Sequence, residues 1–215
     1  MPRIMPGLAE HLRRQTDEAL ELAESAEKIR VLTDRDARLG REMTIHRLSL
    51  IYELSFLRIF AAWETFLEES FIRYLCGYSS AAGQQILTGG LRHSKMLRDA
   101  RHALLGAKAF LLWHNPSTVI DRSRRFFILG LHETIMLSNR SRLNWFSSVR
   151  HRIAHDHEDA RAQFNSSCMN LCGRRFPGAR PGKFLRAWAT TGSTRERWLS
   201  IIGDELCNLA SQITP

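Results

Sequence analysis

Apolar residues recur every three or four positions along most of the chain, the period that turns one face of an α-helix toward a core. From 8 to 30 the repeating positions are Leu8, Leu12, Ala19, Leu22, Ala23, Ala26 and Ile29, with charged residues between them, which predicts an amphipathic helix. Asp34, Asp36 and Gly40 then mark a break. From about 42 to 76 no Pro or Gly intervenes, and two stripes run along the segment. Phe56, Phe60, Trp63, Leu67 and Tyr74 form the first; Leu50, Leu54, Leu57 and Ala61 form the second, which continues through Glu64 and Glu68. A helix that is apolar on two sides packs between neighbours, so this segment is expected to be the central helix of the core. Glu64 stands on an apolar line, where a carboxylate is costly unless paired. An arginine from the stretch 147–157 is its expected partner, and a position at the wet edge of the core is the alternative.

Gly77 to Gly90 reads as a loop, rich in Gly and Ser. Residues 91 to 111 set Arg92, His93, Lys95, Arg98, Arg101, His102 and Lys108 around Leu91, Leu97, Leu104 and Leu105, the pattern of a basic helix. Its cations suit an RNA backbone, or simply a solvated face. Asn115-Pro116-Ser117 is a turn with capping residues. It is followed by Arg122, Arg124 and Arg125, then by the apolar run Phe126 to Leu129. Asn139 or Ser141 can cap a helix over 141–155. On its wheel Trp145, Phe146, Val149 and Ile153 share one face, while Asn144, Ser148, His151 and His155 share the other. Arg150 falls at the flank of the apolar face, beside Leu143 and Ala154. A further helix is expected over 158–171, then a basic Gly/Pro loop over 173–182 that carries Arg174 and Arg175. Ser193 with Glu196 forms a capping box for a last helix over 194–213, packing through Trp198, Ile201, Ile202, Leu206 and Leu209. No alternating period-2 run of useful length occurs, so the fold is expected to be all-α. An N-terminal helix and linker over 1–40 and a helical domain over 41–215 are expected to form one compact unit.

Composition changes this picture only through charge. Hydrophobic content of 44% and charged content of 25% are ordinary for a soluble globular chain of 215 residues. Lys+Arg 31 against Asp+Glu 22 gives +9 and a pI of 10.1. That balance favours a polyanionic partner such as nucleic acid; a preference for arginine codons would give it too, since only Lys28, Lys95, Lys108 and Lys183 are lysines. Cys76, Cys168, Cys172 and Cys207 make no disulfide framework, and no second Cys or His pair accompanies Cys168 and Cys172 at zinc spacing. With no apolar signal core and no run of membrane-spanning length, a cytoplasmic protein away from membranes is expected.

The densest chemistry lies in Arg150-His-Arg-Ile-Ala-His-Asp-His157, beside Trp145-Phe146. An arginine fork grips phosphate oxygens, and imidazole exchanges protons near neutral pH. His151 and His155 stand at i, i+4 as zinc-binding histidines do, but Arg152 occupies the position where H-E-x-x-H carries its glutamate. A cation therefore sits where a metal would go, and no metal or other cofactor is expected. No G-x-S-x-G elbow supports a nucleophilic triad.

Arg150-x4-His155 at the end of a helix resembles the R-x4-6-H signature of HEPN domains. Leu57-Arg-Ile-Phe-Ala-Ala-Trp-Glu-Thr-Phe-Leu-Glu68 resembles the earlier core helix of the RiboL-PSP-type HEPN proteins of prokaryotic conflict systems, and Trp198 to Leu206 fits the closing helix. The resemblance covers most of the chain from about residue 42, with the Arg/His element as its diagnostic part. It implies an α-helical domain that forms a two-fold dimer, with both Arg/His motifs at a shared cleft. It implies a metal-independent endoribonuclease acting as a toxin or antiviral effector, or a relative without catalysis that binds RNA or dimerises. Arg150, His155 and His151 are then the expected catalytic residues, supported by Glu64, Arg152 and His157. Arg92, Lys95, Arg98, Arg101, Arg174 and Arg175 are expected to contact RNA. An antitoxin or other neutralising protein is an expected partner. The position after the arginine, commonly Asn in the family, is His151 here and keeps a polar donor.

Overall fold

The computed structural model describes residues 3–33, 38–89, 96–106, 111–189 and 195–215. The architecture is all-α. In chain order the helices are α1 (Leu8–Leu32), α2 (Arg38–Glu42), α3 (Ile45–Leu75), α4 (Leu97–Leu105), α5 (Pro116–Phe126), α6 (Leu131–Ser138), α7 (Arg140–Ala154), α8 (Glu158–Cys172), α9 (Pro181–Arg186) and α10 (Trp198–Ile213). Two short strands, β1 (Arg3–Ile4) and β2 (Tyr78–Ser79), pair in parallel with Arg3 opposite Tyr78. That ribbon occupies part of the segment expected to be loop. α5 and α6 had no counterpart in the hydrophobic pattern, and α4 is shorter than the basic helix expected over 91–111. The break residues Asp34 and Asp36 and the capping-box residue Ser193 lie outside the described residues. No helix among the described residues is long and apolar enough to cross a membrane.

The chain divides into two compact units. The first comprises 1–12, 62–144 and 206–215; the second comprises 13–61 and 145–205. Their boundaries fall inside α1, α3, α7 and α10. In the first unit the fully buried Phe71 of α3 gathers the core, its ring centroid 4.7 Å from Phe127, 5.5 Å from Trp113 and 6.2 Å from Phe126. Asn115 caps α5 by accepting the Thr118 N–H at 3.3 Å, and Pro116 opens the helix at a position where its missing N–H costs nothing. Tyr74 donates its hydroxyl to the Ile213 carbonyl at 2.7 Å, satisfying an orphan acceptor at the end of α10.

His132 of α6 is wholly buried in this unit, 5.1 Å from the Phe71 ring. Ser70 Oγ lies 2.8 Å from the Phe66 carbonyl and 2.9 Å from His132 Nε2, so when the hydroxyl donates to Phe66 the imidazole donates from Nε2. Burial pulls the His132 pKa from 6.5 to about 3. The folded chain therefore keeps this histidine neutral, while the unfolded chain protonates it below 6.5. Between those values the unfolded state binds the extra proton, so stability falls as pH falls, by about 1.4 kcal/mol per pH unit from this group. Urea titrations between pH 7 and pH 5 are expected to show a loss of about 2 kcal/mol that His132→Phe removes. Equal slopes in the two proteins would assign the acid sensitivity elsewhere.

In the second unit Phe184 of α9 lies 5.4 Å from Trp198, 5.6 Å from Phe176 and 6.1 Å from Phe164, all buried. Small residues bring helices close. Ala19, Ala23 and Ala26 form the buried stripe of α1 within this unit, and a Cβ on Gly203 of α10 would press on the Thr16 methyl. A Cβ on Gly182 would strike the Ser49 carbonyl of α3, and the Gly182 N–H donates to Glu53 Oε1 at 2.8 Å. Leu22 and Ile29, expected on the buried stripe of α1, are exposed because the alanines beside them make the contact.

α3 fulfils half of its pattern. Phe56, Phe60, Trp63, Leu67 and Tyr74 are all buried. The second stripe is not: Leu50 is 43% and Leu54 64% exposed, Ala61 is exposed and Leu57 half-buried. Periodicity marks a line as apolar but does not say whether this chain supplies its cover.

Candidate functional site

α7 is anchored by Phe146 and Val149, both fully buried, with Trp145 and Ile153 half-buried beside them. Ser148, expected on the polar face, is buried instead, its Oγ 2.6 Å from Ser167 Oγ of α8. That contact ties α7 to α8 just before the three-residue link His155-Asp156-His157. Helix α8 starts where it does because His157 caps it: Nδ1 accepts the Ala160 N–H at 3.2 Å, with Glu158 and Asp159 in the first turn, where the helix dipole favours negative charge. While that bond lasts, a neutral His157 carries its proton on Nε2 and acts as a donor.

The fold brings three imidazoles together across this corner. Ring centroids are 4.7 Å apart for His151 and His155, 5.3 Å for His151 and His157, and 5.8 Å for His155 and His157. His151 is half-buried, and His155 and His157 are exposed. The i, i+4 spacing made the first pair legible. His157 joins because the chain turns between two helices, which the sequence marked only by adjacency. Among the described residues no group of three or more His, Cys, Asp or Glu is placed to hold a metal ion.

Arg152 has work of its own. Its side chain is only 11% exposed, with Nε donating to the Ala179 carbonyl at 3.0 Å and Nη1 to the His155 carbonyl at 3.0 Å. Nη1 also lies 3.0 Å from Asp156 Oδ1. The arginine thus closes the C-terminus of α7 and fixes the left-handed Ala179, whose φ is 44°. Asp156 is gripped by Arg161 as well, from Nε at 2.9 Å and Nη2 at 2.6 Å. The Arg161 hydrogen bonds, with Arg152 adding to them, hold the Asp156 carboxyl below the usual carboxylate range. Arg150 is half-buried on α7.

A cavity of about 500 Å³ opens beside Arg152, with apolar walls from Ile45, Leu50, Ile153 and Pro181. Arg180 and Lys183 add cationic side chains to its lining, His46 adds an imidazole, and Glu53 and Asp156 add carboxylates already engaged by Gly182 and by Arg152 and Arg161. Nothing in the sequence pointed to it, since its lining comes from α3, α7 and α9. Arg174 and Arg175 are exposed in the same unit, Arg174 with its guanidinium 5.0 Å from the Phe176 ring.

The remaining expected residues lie in the first unit. The Glu64 carboxylate is half-buried, 3.9 Å from His114 Nδ1. Arg101 is committed to acids of α3, 3.1 Å from Glu68 and 2.7 Å from Glu69, and Arg98 lies 3.6 Å from Asp99. Arg92 and Lys95 lie outside the described residues. Cys76, Cys168 and Cys207 are buried free thiols and Cys172 is half-buried; burial pushes the Cys168 thiol up, away from the reactive thiolate form. No protein-family model, no curated protein and no solved structure matches this chain.

Proposed function

We propose that the chain is a metal-independent endoribonuclease of the HEPN type, working as a toxin or phage-defence effector. The observation that carries this reading is the three-imidazole corner His151–His155–His157, flanked by Arg150 and Arg152. In the proposed reaction the ribose 2′-OH attacks the adjacent phosphorus. The new O2′–P bond replaces the P–O5′ bond, leaving a 2′,3′-cyclic phosphate and a 5′-OH. One imidazole must take the 2′-OH proton and another group must protonate the leaving oxygen. His155, exposed at the helix end, is assigned the first exchange and His151 the second. His157 donates from Nε2 to a phosphate oxygen, and Arg150 balances the charge that develops on the phosphorane. The cavity beside Arg152 has the volume and mixed lining to take a neighbouring nucleotide. With a basic chain of +9 overall, an RNA substrate is favoured by counterion release.

The test is cleavage of an RNA oligonucleotide in excess EDTA beside its all-2′-deoxy counterpart. Cyclic-phosphate ends from the RNA alone are expected. Cleavage of the deoxy strand, or loss of cleavage with EDTA, would sink the mechanism. Binding without any cleavage would favour the second reading, a HEPN-like RNA-binding or dimerisation module. The clamp made by Arg152 and the cap made by His157 are what favour that reading, because both are structural uses of motif residues.

The proposed enzyme works as a two-fold dimer, and the open stripe of α3 is the face that supports this. Leu50 and Leu54 project apolar surface that a self-complementary contact would bury. Leu54→Glu is expected to convert the dimer to a monomer by light scattering, with an unchanged helical spectrum. A wild-type chain that already runs as a monomer at micromolar concentration would remove the dimer from the proposal.

A further inference from the structure

The strongest anomaly of the first unit lies away from the histidine corner. Arg122 of α5 is only 9% exposed, yet among the described residues its guanidinium makes no hydrogen bond, and Nη1 is fully buried without a partner. Its face stacks on the indole of Trp113, 4.2 Å from the ring centroid. A buried cation whose donors are unused is expensive. The carboxylate acting on it is that of Glu68, which is already bonded to Arg101 at 3.1 Å. Arg122 also lines a cavity of about 530 Å³, within the usual range for small-molecule sites. Leu104, Leu105, Leu111 and Phe126 give that cavity apolar walls. Among the described residues its other polar side chains are Thr118, Asp121 and Arg125, so the single acid among them is matched by a second arginine.

We propose that Arg122 anchors a binding site for a small organic anion, a carboxylate or phosphate borne on an apolar body. Trp113 covers one face of the guanidinium and Nη1 is closed in, so an anion in the cavity meets the Nε and Nη2 side, whose N–H groups two anionic oxygens accept side by side. The leucines and Phe126 take the body of the ligand. Arg125 at the exposed side adds attraction for the charge, and Asp121 selects against a second negative group placed near the rim. The site is independent of the ribonuclease reading and stands or falls without it.

Saturation-transfer NMR on the full chain tests the assignment with three probes of one shape: phenyl phosphate, benzoate and benzyl alcohol. Both anions are expected to bind at least about tenfold more tightly than the alcohol. The tighter of the two identifies the head group as phosphate or carboxylate. Arg122→Met keeps the bulk of the side chain without its charge, a replacement that buried cations commonly tolerate. It is expected to reduce affinity for both anions by about tenfold or more and to leave the alcohol unaffected. Should that variant fail to fold, Thr118→Phe fills the cavity from a half-buried position one turn before Arg122 and is expected to exclude all three probes. Anions bound no better than benzyl alcohol, or bound equally by Arg122→Met or by Thr118→Phe, would show that Arg122 is only a structural cation.

Discussion

His155→Ala is expected to slow RNA cleavage by about 10²- to 10⁴-fold, the range for removing a positioned acid or base. Because His155 is exposed and its bonded groups are backbone atoms, the substitution should leave thermal stability nearly unchanged. That separation is what makes it decisive. The Arg152 side chain, by contrast, holds the carbonyls of Ala179 and His155 and the carboxylate of Asp156. Its removal would lower stability together with activity and so would say little about chemistry. Single-turnover cleavage of an RNA oligonucleotide in EDTA is the measurement, with a urea titration of the same preparation alongside. An alanine variant that cleaves as fast as wild type would take His155 out of the reaction and move the proton exchange to His151.

The largest expected stability effect lies at Glu27 in the second unit. Its carboxylate is 12% exposed and meets two guanidiniums, Arg186 Nε at 2.6 Å and Arg197 Nη2 at 3.2 Å. Arg197 in turn lies 4.4 Å from the centroid of the Trp188 ring and 5.7 Å from that of Tyr52. One acid thus faces two half-buried cations, one of which lies over aromatic rings. Glu27→Ala leaves both arginines without it, the situation in which breaking a buried pair costs about 3–5 kcal/mol. Since the two guanidinium side chains keep 28% and 22% of their exposure, the lower end, about 3 kcal/mol, is expected. Urea unfolding measures it. A loss below about 1 kcal/mol, the value of an exposed pair, would mean that water already screens this cluster.

The two variants draw on parts of the molecule that were unequally legible beforehand. Helix α8 was readable to within a residue, because an acidic first turn and a following glycine mark both of its ends locally. The His151/His155 pair was readable for the same reason: a fixed turn of helix places i and i+4 together whatever surrounds them. His157 was readable as a supporting residue of the motif but not as a helix cap, since its capping bond depends on where α7 stops. The Leu50 and Leu54 stripe was readable as apolar and misread as covered.

By itself, then, the sequence determined the all-α class, the long helix α3, its aromatic stripe, the α7–α8 corner and the crowding of arginine and histidine there. Each of these follows from backbone periodicity and neighbours a few residues apart. Only the tertiary structure decided the pairings of charge. Glu27 meets Arg186 across 159 positions, Gly182 meets Glu53 across 129, and Arg152 meets the Ala179 carbonyl across 27. The same packing left Arg122 against Trp113 with Nη1 unpartnered among the described residues and drove His132 to a neutral, wholly buried state. A long polar side chain carries no period of its own. What it bonds to, and what that does to its charge, is set by whichever distant segment the folded core brings within about 3 Å.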